Sequence, residues 1–233
     1  MGTVVITGAG SGIGKSVAIQ LSNLKLFNNI ALIGRTHESM HDTVSAMSVD
    51  DVCVKTFEFD LIDFERVESL LHDIHHYFGS IDCLINVAGF TEPAAALLTT
   101  AENFIKTYSI NVFSPFFLMK GACKYMKRNG GKILNVASTA GMTPRPGWVS
   151  YASSKAALIS ISQTLTEEFS EYGIKVYCVS PGRCATKLRL RLAPDEDPST
   201  IMQPEEVAEI ICQLVSKSEN CLDGQNIIIR KKI

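Results

Sequence analysis

The stretch Val4-Val5-Ile6-Thr7-Gly8-Ala9-Gly10-Ser11-Gly12-Ile13-Gly14 runs from an apolar segment through a glycine-rich turn into a helix-length segment that ends near Leu24. This order predicts a β-strand followed directly by an α-helix. The unpaired amides of the first helical turn and the positive end of the helix dipole then face one place, which suits a bound pyrophosphate. The spacing departs from the usual Gly-x-Gly-x-x-Gly fingerprint, because Ile13 occupies its last position. A purely structural turn is the alternative.

Six further apolar runs follow at intervals too long for hairpins. Together with the first run, at residues 3–6, they lie at 30–33, 52–59, 83–87, 132–136, 175–179 and 226–229. Helix-length segments with apolar residues at three- to four-residue spacing separate them. Parallel strands joined by right-handed helical crossovers satisfy this alternation. The pattern therefore predicts an α/β fold of the Rossmann type, a doubly wound parallel seven-stranded sheet with helices on both faces in three α/β/α layers.

The composition indicates one globular domain and gives no sign of a nucleic-acid or membrane partner. The chain has 233 residues without an obvious linker, so we predict a single domain over 1–233. Its 22 basic and 24 acidic residues give a formal charge of -2, which argues against a nucleic-acid or acidic-membrane partner. No apolar run approaches the roughly 18 residues of a membrane span, and no basic leader precedes the first strand. Seven cysteines without a Cys-x-x-Cys pair are typical of reduced thiols, so we expect a cytoplasmic protein.

The ends of the second and third predicted strands carry residues suited to an adenosine. A site for NAD(H) usually has a carboxylate about twenty residues after the glycines. This chain has Gly34-Arg35-Thr36 there, and a guanidinium pairs with a 2'-phosphate, so NADP(H) is favoured over NAD(H), with a solvated loop charge as the alternative. Asp60 is placed to bind the adenine amino group, or else to cap a helix that begins near Asp63. We predict dinucleotide contacts from Gly8, Gly10, Ser11, Gly12, Ile13, Gly14, Arg35, Thr36, Asp60 and Leu61.

A second stretch, 138–155, holds side chains suited to proton transfer. Tyr151 and Lys155 are four residues apart, so on a helix they share one face, where the ammonium favours the ionised phenol and lowers its pKa. Ser138 lies thirteen positions upstream of Tyr151 and is able to hydrogen-bond the same reacting oxygen. For an isolated Tyr-x-x-x-Lys, a helix start with an exposed Tyr and Lys is the alternative.

Taken together, these stretches resemble the single-domain branch of the short-chain dehydrogenase/reductase family over nearly the whole chain. Residues 7–14 match the family's glycine motif, and Asn86-Val87-Ala88-Gly89 matches its Asn-Asn-Ala-Gly motif apart from Val87. Ser180-Pro181-Gly182, with Thr186 beyond, matches the segment that lines the nicotinamide. Several ordered motifs at fitting intervals support one another. The family's catalytic positions correspond to Asn111, Ser138, Tyr151 and Lys155.

The resemblance implies an enzyme that transfers a hydride between a nicotinamide and a carbonyl or secondary alcohol. Tyr151 would exchange the proton, Lys155 would lower the phenol's pKa and bind the nicotinamide ribose, and Ser138 would hydrogen-bond the developing alkoxide. Asn111 would hold a relay water, although an Asn in a helix also satisfies a kinked backbone. The resemblance adds cofactor contacts from Asn86, Ala88, Gly89, Tyr151, Lys155, Pro181, Gly182 and Thr186.

The resemblance also implies a homodimer or homotetramer. The family commonly has an Asp-Gly-Gly turn after its last strand, whereas this chain runs directly into residues 230–233, which leaves the choice of assembly open. The least regular segment is 186–204, where Pro and Asp residues break helical periodicity, and we predict that it forms a lid over the substrate. Arg145 and Trp148, between Ser138 and Tyr151, are expected to line the substrate mouth.

Two charged patterns favour solvated surface over a binding role. Lys187, Arg189 and Arg191 alternate with leucines, and a solvated lid face is favoured over contact with an anionic substrate. His72 and His76 are four residues apart on a predicted helix, but no third ligand has suitable spacing, so no metal is predicted.

Two other functions fit part of the pattern. A non-catalytic dinucleotide-binding sensor or scaffold uses the same fold, although it has no need of the four catalytic side chains, and it remains the alternative. An epimerase or dehydratase of the longer nucleotide-sugar branch needs a C-terminal substrate domain, for which the roughly eighty residues after Lys155 leave no room.

Overall fold

The computed structural model describes residues 2–48 and 51–231. Within them the backbone forms one parallel sheet of seven strands: β1 Thr3–Thr7, β2 Asn29–Gly34, β3 Cys53–Glu58, β4 Cys83–Asn86, β5 Gly131–Val136, β6 Ile174–Pro181 and β7 Asn226–Ile229. Their spatial order is β3-β2-β1-β4-β5-β6-β7. The predicted strands are confirmed, with bounds that differ by at most two residues.

Helices connect the strands on both faces of the sheet. The described residues form α1 Gly12–Asn23, α2 His37–Ser45, α3 Val67–Phe78, α4 Ala101–Tyr108, α5 Ser114–Met126, α6 Val149–Ser170, α7 Lys187–Leu192 and α8 Pro204–Val215. A π-helical turn, Ser109–Phe113, joins α4 to α5.

Side chains of each strand alternate between the two faces and so build two apolar cores. Val4 and Ile6 belong to the core shared with α1, α2 and α8. The intervening Val5 belongs to the core shared with α3, α5 and α6. A parallel sheet buried on both faces needs apolar residues on both, which explains why the strands are continuous apolar runs. The predicted three-layer Rossmann architecture is confirmed.

The direction of winding reverses at β1, which lies between β2 and β4. The helix that follows β1 and the long helix that follows β4 lie on opposite faces of the sheet, so a crevice opens at the carboxyl ends of these two strands. Thr7 ends β1 and Asn86 ends β4, side by side in register. The residues that follow them therefore face the same crevice.

Buried asparagines tie this edge of the sheet to α6. Asn86 Nδ2 donates a hydrogen bond to Asn135 Oδ1 at 2.9 Å, and Asn135 Nδ2 donates to Ser162 Oγ at 2.9 Å. Paired polar groups in a low-dielectric interior hold their partners in one arrangement. The strand ends and α6 are thereby fixed relative to each other.

The end of the described chain packs against α8, where Lys231 Nζ lies 2.9 Å from Glu206 Oε1. One domain over 1–233 stays a prediction, because residues 1, 49–50 and 232–233, including two residues of the unusual tail, lie outside the described residues. Across residues 2–48 and 51–231, none of the helices has the length and apolar character needed to cross a membrane.

Candidate active site

A cleft of about 1300 Å³ runs along the carboxyl edge of the sheet. Its volume exceeds the roughly 300–1,000 Å³ of an ordinary small-molecule pocket, so it has room for a dinucleotide and a second small molecule. Most of the predicted site residues line it: Gly8, Gly10, Ser11, Gly12, Ile13, Arg35, Asp60, Leu61, Ala88, Gly89, Ser138, Arg145, Trp148, Tyr151, Lys155, Pro181, Gly182 and Thr186.

The glycine-rich turn presents backbone amides to one end of the cleft. Gly8 has a φ of 68°, and a Cβ there would lie 2.9 Å from the backbone of Ala88. Ser11 is the N-cap of α1, but its side chain makes no capping hydrogen bond, and the first turn carries no acidic residue. The first amides of α1 therefore remain open to an anion. This arrangement fits the pyrophosphate of a dinucleotide.

One end of the cleft, beside α2, mixes one cation with several carboxylates; the sequence predicts an adenosine there, so we call it the adenosine end. Arg35 and Asp60 line it as predicted, together with Glu38 and Asp42, which sequence reasoning missed. Glu38 and Asp42 lie four residues apart on α2 and so share a face, a spacing that was readable once α2 was placed. Asp60 Oδ1 accepts a hydrogen bond from the Ile62 amide at 3.1 Å and so closes a local turn, whereas the N-cap of the helical turn Phe64–Arg66 is Asp63, so Asp60 is not the helix cap of the alternative.

Three of the four predicted proton-transfer residues meet at the centre of the cleft, and Asn111 lies behind them. We call Asn111, Ser138, Tyr151 and Lys155 the floor of the cleft. Tyr151 and Lys155 are 6% and 3% exposed, so the alternative of an exposed helix start is wrong. Lys155 Nζ lies 5.9 Å from the centre of the Tyr151 ring and donates a hydrogen bond to the Val136 carbonyl at 2.8 Å. Three of the four floor residues line the cleft, and the exception is Asn111.

The expected lowering of the Tyr151 pKa by Lys155 is not found. Burial raises the pKa of the phenol and outweighs the opposing effects of the Ser138 hydroxyl and the Arg189 charge. Lys155 is itself buried, which lowers the pKa of its ammonium to about 8. The phenolate of Tyr151 and the ammonium of Lys155 both lose solvation in the floor, and the four-residue spacing alone does not reveal this cost.

Asn111 has a structural role behind the residues that line the cleft. Its Oδ1 accepts from the Phe90 amide at 2.8 Å, and its Nδ2 donates to the Phe90 carbonyl and to Ser154 Oγ, both at 2.9 Å. Asn111 lies in the π-helical turn, but its side chain bonds the backbone of Phe90 rather than that of its own turn, so the alternative of an Asn that satisfies a kinked helix does not describe these bonds. These bonds tie the loop after β4 to α6.

Three predicted cofactor residues also lie outside the lining of the cleft. Gly14 packs against the turn, because a Cβ there would lie 2.3 Å from the Gly8 carbonyl oxygen. Thr36 caps α2 by accepting a hydrogen bond from the Ser39 amide at 3.1 Å. Asn86 is buried and bonded to Asn135. Each supports the shape of the site without facing it.

The opposite wall follows β6. Pro181 and Gly182 line the cleft, and Thr186 Oγ1 caps α7 by accepting from the Arg189 amide at 3.1 Å. A Cβ on Gly89 would lie 3.6 Å from both Leu188 Cδ1 and Lys155 Nζ. The start of α7 therefore lies over the central part of the cleft.

We call Arg145, Trp148 and residues 186–204 the rim of the cleft. The Trp148 ring lies 6.4 Å from the Tyr151 ring, and Arg189 Cζ lies 5.8 Å from the Trp148 ring. Arg189 donates to both carboxylate oxygens of Glu196, at 2.6 and 2.8 Å, and so joins α7 to the second half of segment 186–204. The segment is more regular than predicted, since it contains α7.

The histidine pair of α3 lies away from this cleft. The His72 and His76 rings stack 6.3 Å apart, and both side chains face solvent. Among the described residues, no group of three or more His, Cys, Asp or Glu side chains is placed to hold a metal ion.

The fold and the cleft define an α/β protein with an anion-binding turn and a Tyr, Lys and Ser constellation at the switch point of its sheet. The family model for short chain dehydrogenase matches residues 2–197. The chain belongs to the short-chain dehydrogenase/reductase family, and it is therefore an NAD(P)-dependent oxidoreductase acting on alcohol or carbonyl groups.

Individual relatives agree with this assignment. The chain is 33% identical over 193 residues to 2,3-dihydro-2,3-dihydroxybenzoate dehydrogenase of Bacillus subtilis, covering 82% of this chain and 73% of that protein. It is 29% identical over 234 residues to a 3-oxoacyl-(acyl-carrier-protein) reductase of Haemophilus influenzae, covering 96% and 94%. The structure of ElxO with NADP bound superposes with a TM-score of 0.88 at 27% identity, covering 98% of this chain and 96% of that one.

Proposed function

We propose that the chain is an NADP(H)-dependent oxidoreductase that interconverts a ketone and a secondary alcohol, with Tyr151 as the general acid and base. The observation that carries the proposal is the buried phenol of Tyr151 in the floor of the cleft, with Ser138 and Lys155 beside it in the same floor. A nicotinamide bound in the cleft would supply or accept the hydride. The residues of the chain have to orient the carbonyl and transfer one proton to or from its oxygen.

Tyr151 is suited to donate that proton during reduction. Because burial raises its pKa, the phenol stays protonated at neutral pH, which is the form a general acid needs. Ser138 Oγ accepts a hydrogen bond from the Ala140 amide at 3.1 Å, so its own hydrogen remains able to bind the developing alkoxide. The two hydroxyls would thus hold one substrate oxygen between them.

Lys155 is suited to bind ribose hydroxyls and to pass on a proton. An ammonium has three donors, and the hydrogen bond to Val136 uses one of them. A pKa of about 8 lets the group lose and regain a proton near neutral pH. The relay water near Asn111 stays a prediction. Because the Asn111 side chain already makes three hydrogen bonds, backbone groups are better suited than this side chain to hold that water.

Arg35 supports NADP(H) as the cofactor. Its guanidinium lines the adenosine end, where it would pair with a 2'-phosphate. Glu38 and Asp42 line the same end and repel that phosphate, so the preference depends on Arg35 outweighing them. ElxO, whose structure has NADP bound, is consistent with this choice.

Three wider features belong to the same proposal. Residues 186–204 would close over the substrate as a lid, since α7 already lies beside Gly89 and Trp148. The exposed apolar side chains of Phe104 and Ile105 on α4 support assembly as a homodimer or homotetramer, which light scattering of the purified chain tests. The seven cysteines are free thiols, which agrees with a cytoplasmic location.

The experiment is an assay of the purified chain with NADPH and with NADH against a panel of ketones, repeated with Tyr151→Phe. We expect reduction with NADPH, and a fall of about a hundredfold to ten-thousandfold in the variant, because the positioned acid is lost. Binding of NADPH, measured by its fluorescence, should change little. Tyr172→Phe is the matched control, since Tyr172 is exposed and does not line the cleft.

Each alternative has its own outcome in this assay. Tight NADPH binding without turnover of any ketone or alcohol would favour the sensor or scaffold. Substantial turnover by Tyr151→Phe would remove Tyr151 from the mechanism. A clear preference for NADH would overturn the argument from Arg35.

A further inference from the structure

The carboxylates that line the cleft are confined to one of its ends. The lining carboxylates within the described residues are Glu38, Asp42 and Asp60, and all three belong to the adenosine end. The charged residues of the rim that line the cleft are basic, among them Arg145, Arg189 and Arg191. The whole chain has a formal charge of -2, so the basic rim is a local concentration. A cleft lined by one sign of charge attracts the opposite charge.

Most of this positive charge is not compensated by neighbouring side chains. Across residues 2–48 and 51–231, Arg145, Lys187 and Arg191 form no ion pair, whereas the single carboxylate of Glu196 serves both Arg183 and Arg189. Glu196 itself does not line the cleft. The other two carboxylates of the rim, Asp195 and Asp197, do not line the cleft either, so the rim side chains that do line it carry a net positive charge.

Arg189 is the rim cation that is held most firmly near the reacting centre. Its Nε and Nη2 donate to Glu196, and its guanidinium lies against the Trp148 ring, which in turn contacts the Tyr151 ring. Its charge is close enough to oppose the rise in the Tyr151 pKa that burial causes. Nη1 makes no hydrogen bond within the part of the chain that the structure describes. Glu196 thus orients a guanidinium that keeps donors for another anion.

We infer that the substrate carries an anionic group, a carboxylate or a phosphate, and that the guanidinium of Arg189 binds this group while the carbonyl lies at Tyr151. This inference rests on the proposed function of the same cleft. Arg189 is then a specificity residue, and Glu196 is a positioning residue that acts through it. The sequence pattern predicts a solvated lid face for Arg189, whereas here its guanidinium binds the anionic group of the substrate.

The chain provides its own reporter, because Trp148 is its single tryptophan and lies against Arg189. The test titrates the protein, saturated with NADP⁺, with oxo acids of graded size from acetoacetate upward and with their methyl esters, following tryptophan fluorescence. Dihydroxyacetone phosphate beside dihydroxyacetone forms a second arm and distinguishes a phosphate from a carboxylate. Binding is read without turnover, so the result does not depend on which carbonyl the enzyme reduces.

We expect at least one anionic ligand to bind about ten- to a hundredfold more tightly than its neutral counterpart, as a hydrogen bond to a charged group allows. Arg189→Gln should reduce the anion's affinity to that of the neutral ligand, and Arg189→Lys should recover part of it. Glu196→Gln should weaken discrimination less than Arg189→Gln. Arg128→Gln, which removes an exposed charge at the end of α5, should leave both affinities unchanged.

Equal binding of every anion and its neutral counterpart would overturn the inference. Discrimination that survives in Arg189→Gln but disappears in Arg145→Gln would overturn the assignment to Arg189. If Arg189→Gln disturbs the lid, the affinities for acid and ester fall together. The ratio of acid to ester affinity in Arg189→Lys, which keeps the positive charge, then tests whether a cation at this position binds the anion. Failure of the proposed function is a different result: no carbonyl, charged or neutral, is reduced with either cofactor.

Discussion

The floor and the rim of the cleft are built on different physical principles. The floor residues are held by hydrogen bonds between distant parts of the chain, such as those from Asn111 to Phe90 and Ser154 and that from Lys155 to Val136. The rim is more exposed and charged, and the ion pair of Arg189 with Glu196 spans only seven residues of sequence. The floor is therefore inseparable from the fold, whereas the rim can change without disturbing it.

The floor therefore carries the reaction, and the rim carries the selectivity. A buried polar group left unpaired destabilises the whole domain, so floor substitutions should act on stability and chemistry together. A charge at the mouth acts mainly on what binds there.

Removing the amide of Asn111 should give the largest loss of stability. Asn111→Leu leaves the amide and carbonyl of Phe90 without their partner and removes one of the hydrogen bonds of the Ser154 hydroxyl, so we expect the free energy of unfolding to fall by about 2–4 kcal/mol. Urea unfolding at fixed protein concentration measures it. Asn129→Leu, the same change at an exposed site, is the control. Equal stability of Asn111→Leu and the parent chain would contradict the structural role.

The sequence was sufficient for the floor's identity but not for its energetics. The spacing of Tyr151 and Lys155 places them on one helix face, and the order strand, glycines, helix indicates the turn, but the resemblance to the family is what makes the pair catalytic candidates. The direction of the Tyr151 pKa was missed, since desolvation depends on what covers the phenol. The side-chain bonds of Asn111 were likewise unreadable, because Phe90 and Ser154 lie 21 and 43 residues away.

The rim was the least predictable part for a related reason. Segment 186–204 was placed as a lid from its irregularity, but its helix α7 is only six residues long and follows no strong periodicity. The pair of Arg189 with Glu196 links two arms of a loop, and no sequence rule fixes such a distance. Glu38 and Asp42 at the adenosine end lie on α2 and not at the strand end, so their place in the cleft depends on how α2 packs.

Lys155 should make stability depend on pH. Burial lowers its pKa from 10.5 to about 8, so between these values the unfolded chain binds more protons, and this group's contribution to the free energy of unfolding rises with pH. Lys155→Met has no such charge, so below pH 8 it should be more stable than the parent by an amount on the order of 3 kcal/mol, less the lost hydrogen bond. The advantage should shrink from pH 8 to 10.5.

Urea unfolding of the two proteins across that range measures the difference. Shared contributions from Tyr151 and the buried cysteines largely cancel, because both proteins contain them. A difference in stability that stays constant with pH would mean that Lys155 is not a buried charge in the folded chain.

Arg35 should give the smallest of these effects, confined to cofactor choice. Arg35→Gln removes the cation that offsets Glu38 and Asp42, so the ratio of NADPH to NADH affinity should fall by about ten- to a hundredfold while stability stays unchanged. Fluorescence titration with each reduced cofactor measures the ratio, with Arg128→Gln as the control. An unchanged ratio would place the selection of the cofactor elsewhere.

The most direct test of the account is the fate of the nicotinamide hydrogen. NADPH deuterated at the hydride position is mixed in single turnover with the best ketone of the panel, and the alcohol is analysed by mass spectrometry and NMR. The account predicts deuterium on the carbinol carbon with the parent chain and almost none, in the same time, with Tyr151→Phe. Alcohol without deuterium, or equal transfer by Tyr151→Phe, would contradict the assignment of this cleft as a hydride-transfer site with Tyr151 as its acid.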